Sequence, residues 1–246
     1  MQGVEGKTAL ITGAAKRLGA ALAQGLSRAG ACVILHCHRS RGDADQTAAA
    51  IIDAGGNASV IEADLSDNAA ADALMGRAIA LVGPIDALIN SASIFHECDF
   101  AETMPSAIHE NMNINAIAPM LLARRFAEQQ RPGAIINLLD TMVMDYDKRH
   151  IPYHLSKRTL QTLTRMMAVE FAPDIRVNAI APGLILPPPG ENITYLEKMA
   201  HSNPLQRHGG PADIVEAALF LLRAGFVTGQ TLYIDGGRHL RGSMYE

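Results

Sequence analysis

The sequence predicts a doubly wound α/β fold, in which one parallel sheet lies between two layers of helices. Three observations carry this expectation. Short apolar runs alternate with longer helical runs along the whole chain. The short runs are near-continuous Val, Ile and Leu, the pattern of strands buried on both faces of a parallel sheet. No linker, repeat or low-complexity stretch interrupts the order, so the 246 residues read as a single domain.

The elements follow in order. Residues 7–12 (KTALIT) are a short apolar run ending in a glycine turn, the first strand. Residues 17–29 form a helix, because Leu18, Leu22 and Leu26 stack at i, i+4 and i+8. Residues 32–36 (CVILH) are the second strand, and 44–54 a helix stopped by Gly55-Gly56. Strand three covers 59–63, and the helix over 69–82 stops at Gly83-Pro84. Strand four is 85–90 (IDALIN), a helical stretch occupies 105–130, and strand five is 134–139 (AIINLL). A long helix runs from 151 to 171, near Pro173, followed by strand six at 175–180. A helix over 211–223 and a strand at 230–234 complete seven strands and six helical regions. The segment 184–204 opens with LILPPPG, whose three prolines fit neither a helix interior nor a central strand. It is expected to be a long functional loop.

Composition excludes several classes of function. Apolar residues are 48% of the chain and charged residues 19%, enough for a substantial core and too apolar for disorder. A net charge of −4 gives no overall pull toward nucleic acid or anionic membranes. Aromatics are only 4% and Trp is absent, which argues against a base-stacking surface. Cys32, Cys37 and Cys98 have no CxxC spacing and suit a reducing compartment. There is no signal-like start, and no apolar run of the ~18 residues that cross a membrane. A soluble cytoplasmic protein is expected.

The first strand runs into Thr12-Gly13-Ala14-Ala15-Lys16-Arg17-Leu18-Gly19 and straight on into a helix. This is the strand–turn–helix setting of a phosphate-binding loop. Gly13 permits the turn, Gly19 lets helix and strand approach, and the helix N-terminus offers free N–H groups to a pyrophosphate. Arg17 stands where such patterns often carry glycine, and its guanidinium reaches a phosphate or an anionic substrate edge. Strand two ends in His36-Cys37-His38-Arg39-Ser40-Arg41, with no acid before Asp43. Two arginines and a hydroxyl suit a ribose 2′-phosphate, so NADPH is expected over NADH. Lys16, Arg17, Arg39 and Arg41 form a local basic cluster for it.

Tyr153 and Lys157 are spaced i, i+4, on one helix face. An ammonium one turn away is expected to lower the phenol's pKa and help proton exchange. The order of Gly13, Arg17-Leu18-Gly19, Asn90-Ser91-Ala92-Ser93, Asn115, Tyr153-xxx-Lys157, Ala181-Pro182-Gly183 and Ile234-Asp235-Gly236-Gly237 resembles the short-chain dehydrogenase/reductase family over essentially the whole chain. The resemblance implies a Rossmann-type fold and an NAD(P)-dependent oxidoreductase, with Asn115, Tyr153 and Lys157 in catalytic roles. It also implies cofactor contacts from Gly13, Lys16, Arg17, Leu18, Gly19, His38, Arg39, Ser40, Asp64, Leu65, Asn90, Ser91, Ala92, Tyr153, Lys157, Pro182, Gly183 and Leu184.

Two departures narrow the resemblance. Most of the family has Ser thirteen residues before the Tyr, and this chain has Asp140; Arg17 replaces the middle glycine. Both resemble the pteridine reductases, and the stretches around Asp147–Tyr153 and Asp235–Leu240 resemble the bacterial dihydromonapterin reductase type. The implied substrate is a pterin or folate, contacted by Arg17, Ser93, Phe95, Asp140 and Tyr153, with Phe95 stacking on its ring. Asp140 and Tyr153 would deliver a proton to a C=N bond. A homotetramer is also implied.

Other readings of the same residues stand beside these. Asp140 could cap the end of its strand, with Thr141 as a displaced hydroxyl binding a carbonyl; a carbonyl reductase, for example of 3-oxoacyl thioesters, is the alternative activity, and Asp140 and Arg17 argue against it. Phe95 could be core, and a non-catalytic NADPH-binding sensor would need no Tyr–Lys pair. His96-Glu97-Cys98-Asp99 carries ligand-type residues without a partner set, the nine histidines show no ligand pattern, and His154 reads as a surface residue, so no metal is expected.

Overall fold

The computed structural model describes residues 3–145, 147–188 and 190–240. Seven parallel strands form one sheet in the order β3-β2-β1-β4-β5-β6-β7. They are β1 Thr8–Ile11, β2 Cys32–Cys37, β3 Asn57–Glu62, β4 Ala87–Asn90, β5 Gly133–Leu138, β6 Ile175–Pro182 and β7 Thr231–Ile234. The order reverses between β1 and β4, and at such a switch point the loops at the carboxyl ends part and leave a cleft. The central strands are buried throughout or nearly so, whereas the edge strands β3 and β7 are only partly covered.

The helices lie on both faces. α1 (Arg17–Arg28) and α8 (Pro211–Arg223) cover one side, where Leu22, Leu26, Ile214 and Leu222 pack on Ile11, Leu35 and Ile136. α3 (Asn68–Val82) and α5 (Ala118–Ala127) cover the other, where Leu74, Met75, Leu122 and Phe126 pack on Leu10, Ile34 and Leu88. α2 (Arg41–Asp53) flanks the β2–β3 edge, and α6 (Ile151–Glu170) runs over β5 and β6. Among the described residues no helix is long and apolar enough to cross a membrane.

Two stretches differ from the expectation. Residues 105–130 are not one run: α4 (Pro105–Met112) passes through a π turn at Asn113–Ile117 into α5. The extra residue in that turn rotates Asn115 inward, and π bulges often mark functional sites. The segment 184–204 is not all loop, because α7 (Ile193–Met199) forms within it, capped by Asn192 Oδ1 accepting the Thr194 N–H at 2.9 Å. Pro189 of that segment lies outside the described residues.

Candidate active site

The turn after β1 is held by side chains from its neighbours. Thr12 Oγ1 accepts the N–H groups of Ser91 and Ala92, each at 3.0 Å, which pins the end of β4 to the end of β1. Gly13 has φ +64°, and a Cβ there would stand 2.8 Å from Ala92 Cα. A Cβ on Gly19 would run into the Gly13 carbonyl, so α1 can start this close to the turn only with glycine at that position. Arg17 also has positive φ, +53°, and its guanidinium donates to the Pro187 carbonyl at 2.7 Å, tying the turn after β1 to the 184–204 segment.

His36 was not singled out by the sequence, although it is the polar residue in an otherwise apolar strand. Its Nδ1 accepts the Gly13 N–H at 3.2 Å, and its Nε2 lies 3.1 Å from the Ala63 carbonyl. Burial drives its pKa down to about 4, so a neutral imidazole bridges the turn to the end of β3.

Gly13, Lys16, Arg17, Leu18, Gly19, His38, Arg39, Ser40, Ser91, Ala92 and Ser93 line one open cleft of about 370 Å³. The expected basic cluster is smaller than its sequence suggests. Lys16 pairs with Asp43 at 2.8 Å, and Arg41 pairs with Asp45 at 2.9 Å, one helical turn away on α2. The exposed Arg39 is left as the arginine facing this cleft from β2. Asp64 holds Ser66 and stands 3.5 Å from His38, beside the buried Leu65.

Asn90 donates to Asn137 at 2.8 Å, while its own Oδ1 is buried without a hydrogen-bond partner among the described residues. Pro182 closes β6, and Gly183 follows with its N–H on Ile234 O at 3.0 Å. Leu184 continues the chain from there and accepts the Gly209 N–H at 3.0 Å. The glycine cradle, the orphaned amide oxygen and Arg39 fit a dinucleotide bearing a 2′-phosphate.

The other wall is built from buried polar side chains. Tyr153 donates its hydroxyl to Asp140 Oδ2 at 3.1 Å. The other oxygen, Asp140 Oδ1, accepts the Met142 N–H at 2.8 Å. The strand-end cap and the contact with the tyrosine are thus both present, one on each oxygen. Thr141 does not offer its hydroxyl to the cleft: it is buried and donates to Asp235 at 2.5 Å.

Lys157 Nζ donates to Leu138 O at 2.7 Å and sits 5.6 Å from the Tyr153 ring centre. Burial pushes its pKa down to about 8, against the pull of Asp140. The expectation that Lys157 lowers the phenol's pKa is not met here. Burial, then the Asp140 charge and the hydrogen bond to it, hold Tyr153 well above its ordinary value.

Asn115 positions other groups in this structure. Its Oδ1 accepts the Ile94 N–H at 3.0 Å, and its Nδ2 faces Ile94 O, Asn111 Oδ1 and Ser156 Oγ at 3.0–3.3 Å. Ser156, which sequence reasoning passed over, in turn donates to Tyr153 O at 2.7 Å.

Phe95 is half-exposed, at 50%, and therefore not core. One face lies flat on His150 at 3.9 Å and 11°, and its ring meets Tyr153 nearly edge-on at 4.7 Å. Ser93 is exposed beside it. The sequence reading of the histidines is corrected at two points. His154 is buried, not superficial, and it gathers with His150 around the Asp147 carboxylate. The i, i+4 spacing of His150 and His154 is legible in the sequence; the loop before α6 that turns Asp147 back over the helix start is not.

A parallel sheet with a glycine turn at its first βα junction, facing a tyrosine–lysine pair across the strand ends, defines a nicotinamide-dinucleotide oxidoreductase. The chain belongs to the short-chain dehydrogenase/reductase family: a family model described as enoyl-(acyl carrier protein) reductase matches residues 13–239. The alternative dihydrofolate reductase 1 (FolM) of Brucella canis, solved with NADP, superposes with a TM-score of 0.91 at 32% identity, covering 99% of this chain and 98% of that one. Pteridine reductase 1 of Leishmania tarentolae is 32% identical over 94% of this chain and 96% of its own length. The 3β-hydroxysteroid dehydrogenase 1 of Eggerthella lenta is 33% identical over 96% of this chain and 95% of its own. Relatives equally similar to this chain are thus named for a pteridine and for a steroid. Overall identity gives the class of reaction, and the cleft's own residues must choose the substrate.

Proposed function

We propose that the protein is an NADPH-dependent reductase of dihydropterins, taking dihydromonapterin, dihydrobiopterin or dihydrofolate to the tetrahydro form at a C=N bond. The observation that carries this reading is the pairing of Asp140 with Tyr153 at 3.1 Å where a carbonyl reductase of the family needs a hydroxyl. The Thr141 hydroxyl cannot substitute, because it is committed to the buried Asp235. A carboxylate suits the amidine-like edge of a pterin, since each oxygen keeps a lone pair beside the one hydrogen bond it already accepts.

NADPH supplies the hydride when bound. Arg39 and the backbone of the Gly13–Gly19 turn hold the cofactor, with Asn90, Ser91, Ala92, Pro182, Gly183 and Leu184 along its length. Tyr153 donates its proton to the ring nitrogen next to the carbon being reduced. The ammonium of Lys157 stabilises the phenolate that remains. Asp140 holds the phenol and the pterin edge in one orientation. Phe95 stacks on His150 and is half-exposed, which leaves ring surface for a flat substrate ring. Arg17 and Ser93 border the same space.

The proposal includes a cytoplasmic location and a homotetramer. Three free cysteines fit the first, and the exposed Met120, Met166 and Val169 on α5 and α6 offer apolar surface for the second.

The test is NADPH oxidation followed with a panel of 7,8-dihydropterins and dihydrofolate against 3-oxoacyl thioesters and steroid ketones. Turnover with the pterins, reduced about a hundredfold in Asp140→Ser, supports the reading. Turnover with ketones alone establishes a carbonyl reductase instead, and NADPH binding without any turnover would leave the sensor.

A further inference from the structure

We propose that Asp147, His150 and His154 form a binding site for one divalent cation of the zinc or cobalt class, set behind the aromatic shelf of the cleft. His150 is the N-cap residue of α6 and His154 follows one turn later, so both imidazoles approach the same space. Asp147 turns back over them from the preceding loop. His150 Nδ1 lies 2.9 and 3.0 Å from the two Asp147 oxygens, and His154 Nε2 lies 3.5 Å from one of them. The three donor atoms all fall within 4.8 Å of one another.

Donors held ~2.0–2.2 Å from one zinc ion stand ~3.0–3.6 Å apart at octahedral or tetrahedral angles. The two histidine–aspartate edges already have that length, and only the histidine–histidine edge has to close. His154 Nε2 accepts the Asp147 N–H at 3.3 Å, and a cation takes that lone pair by displacing this hydrogen bond. Both imidazoles are largely buried, with side-chain exposures of 11% and 7%, so packing sets their orientation before any ligand arrives. The Asp147 side chain is 38% exposed and leaves an entry from solvent. Arg149 is paired with Glu97, which offsets its charge beside the site.

Two imidazoles and one carboxylate match Zn²⁺, Co²⁺ or Ni²⁺, whereas Mg²⁺ and Ca²⁺ require mostly oxygen donors. A cation on His150 Nδ1 lies in the plane of the ring and leaves its faces free. The stack on Phe95 therefore survives, and the bound ion would hold His150 in place beneath that shelf. The ion takes no part in the proton or hydride steps. The site stands whether or not the substrate is a pterin.

The experiment is a titration of chelator-treated full-length protein with Co²⁺ alone, read by the visible absorption of nitrogen- and oxygen-bound cobalt and by metal retained after gel filtration. Saturation at one ion per chain is expected, with affinity falling more than ~10-fold in His154→Gln and in His150→Gln. His109→Gln, at an exposed histidine on α4, should leave the titration unchanged. Far-ultraviolet circular dichroism shows whether each variant is folded. If folded protein gives no saturable spectrum, or if both histidine variants bind as the parent does, the site does not exist. Because the readout is bound metal, failure of pterin turnover would leave this result untouched.

Discussion

At the carboxyl ends of β1 and β2 the cleft is shaped by a close-packed glycine turn, with polar side chains such as Lys16, Arg17, His38 and Arg39 around it. Gly13 and Gly19 leave no room for a side chain, and Thr12 and His36 hold the turn through main-chain N–H groups. At the end of β5 and the start of α6 it is lined by buried side chains that bond to one another: Asp140 to Tyr153, Asn115 to Ser156, Lys157 to Leu138 O. The first wall has the shape of a cradle for a pyrophosphate, which backbone N–H groups can hold, and under the proposed function a 2′-phosphate falls to Arg39. The second wall must hold protons at defined atoms. That takes titratable groups kept from water, whose protonation is set by their neighbours.

The contrast predicts where substitutions act. Tyr153→Phe keeps the shape of the second wall and removes its proton donor. Turnover should fall ~10²–10⁴-fold, with NADPH affinity by fluorescence titration nearly unchanged. Equal losses in both would mean that the two walls are not separable. Gly19→Ala attacks the first wall by steric force, since its Cβ meets the Gly13 carbonyl. A destabilisation of about 1–3 kcal/mol is expected, seen as a melting point lower by several degrees, together with weaker NADPH binding. An unchanged melting curve would show that the turn yields.

Arg39→Ala removes the arginine that faces the cleft from the end of β2, whose charge reaches Asp64 but forms no salt bridge among the described residues. The preference for NADPH over NADH should drop about tenfold in kcat/KM ratio, and Lys16→Ala should cost less because Asp43 already neutralises Lys16. The smallest effect is a pH limb. Burial favours the neutral amine of Lys157, so its proton is held below about 8 and lost above it. Turnover should therefore decline on the alkaline side of that value, by no more than ~10-fold per pH unit. A rate that stays level well beyond it would remove Lys157 from the proton path.

The resemblance to pteridine reductases rested on Asp140 and Arg17, and neither contact could be read from the chain. Asp140 was open to being a cap or a partner of the tyrosine, and it proves to be both, because a carboxylate has two oxygens and the strand end aims each one differently. Arg17 was expected to face a ligand, and its guanidinium donates to Pro187 O of the 184–204 segment. The basic cluster shrank for a related reason. Asp43 and Asp45 follow the arginines closely in sequence, but only the start of α2 at Arg41 turns them back onto Lys16 and Arg41.

Local regularities were enough to determine the sheet, its helices, the glycine turn and the Tyr–Lys face, since these depend on residues a few positions apart. Buried strands need continuous apolar runs, and a helix places i and i+4 together in any sequence. Contacts over long separations were decided only by the tertiary structure. The π turn carries Asn115 inward to Ser156, forty-one residues on. Asp235 takes the Thr141 hydroxyl across ninety-four residues, and Phe95 comes to rest on His150. Burial then reversed the direction of the Tyr153 shift that an i, i+4 lysine implied, because desolvation depends on everything packed around a group and not on its neighbours in the chain.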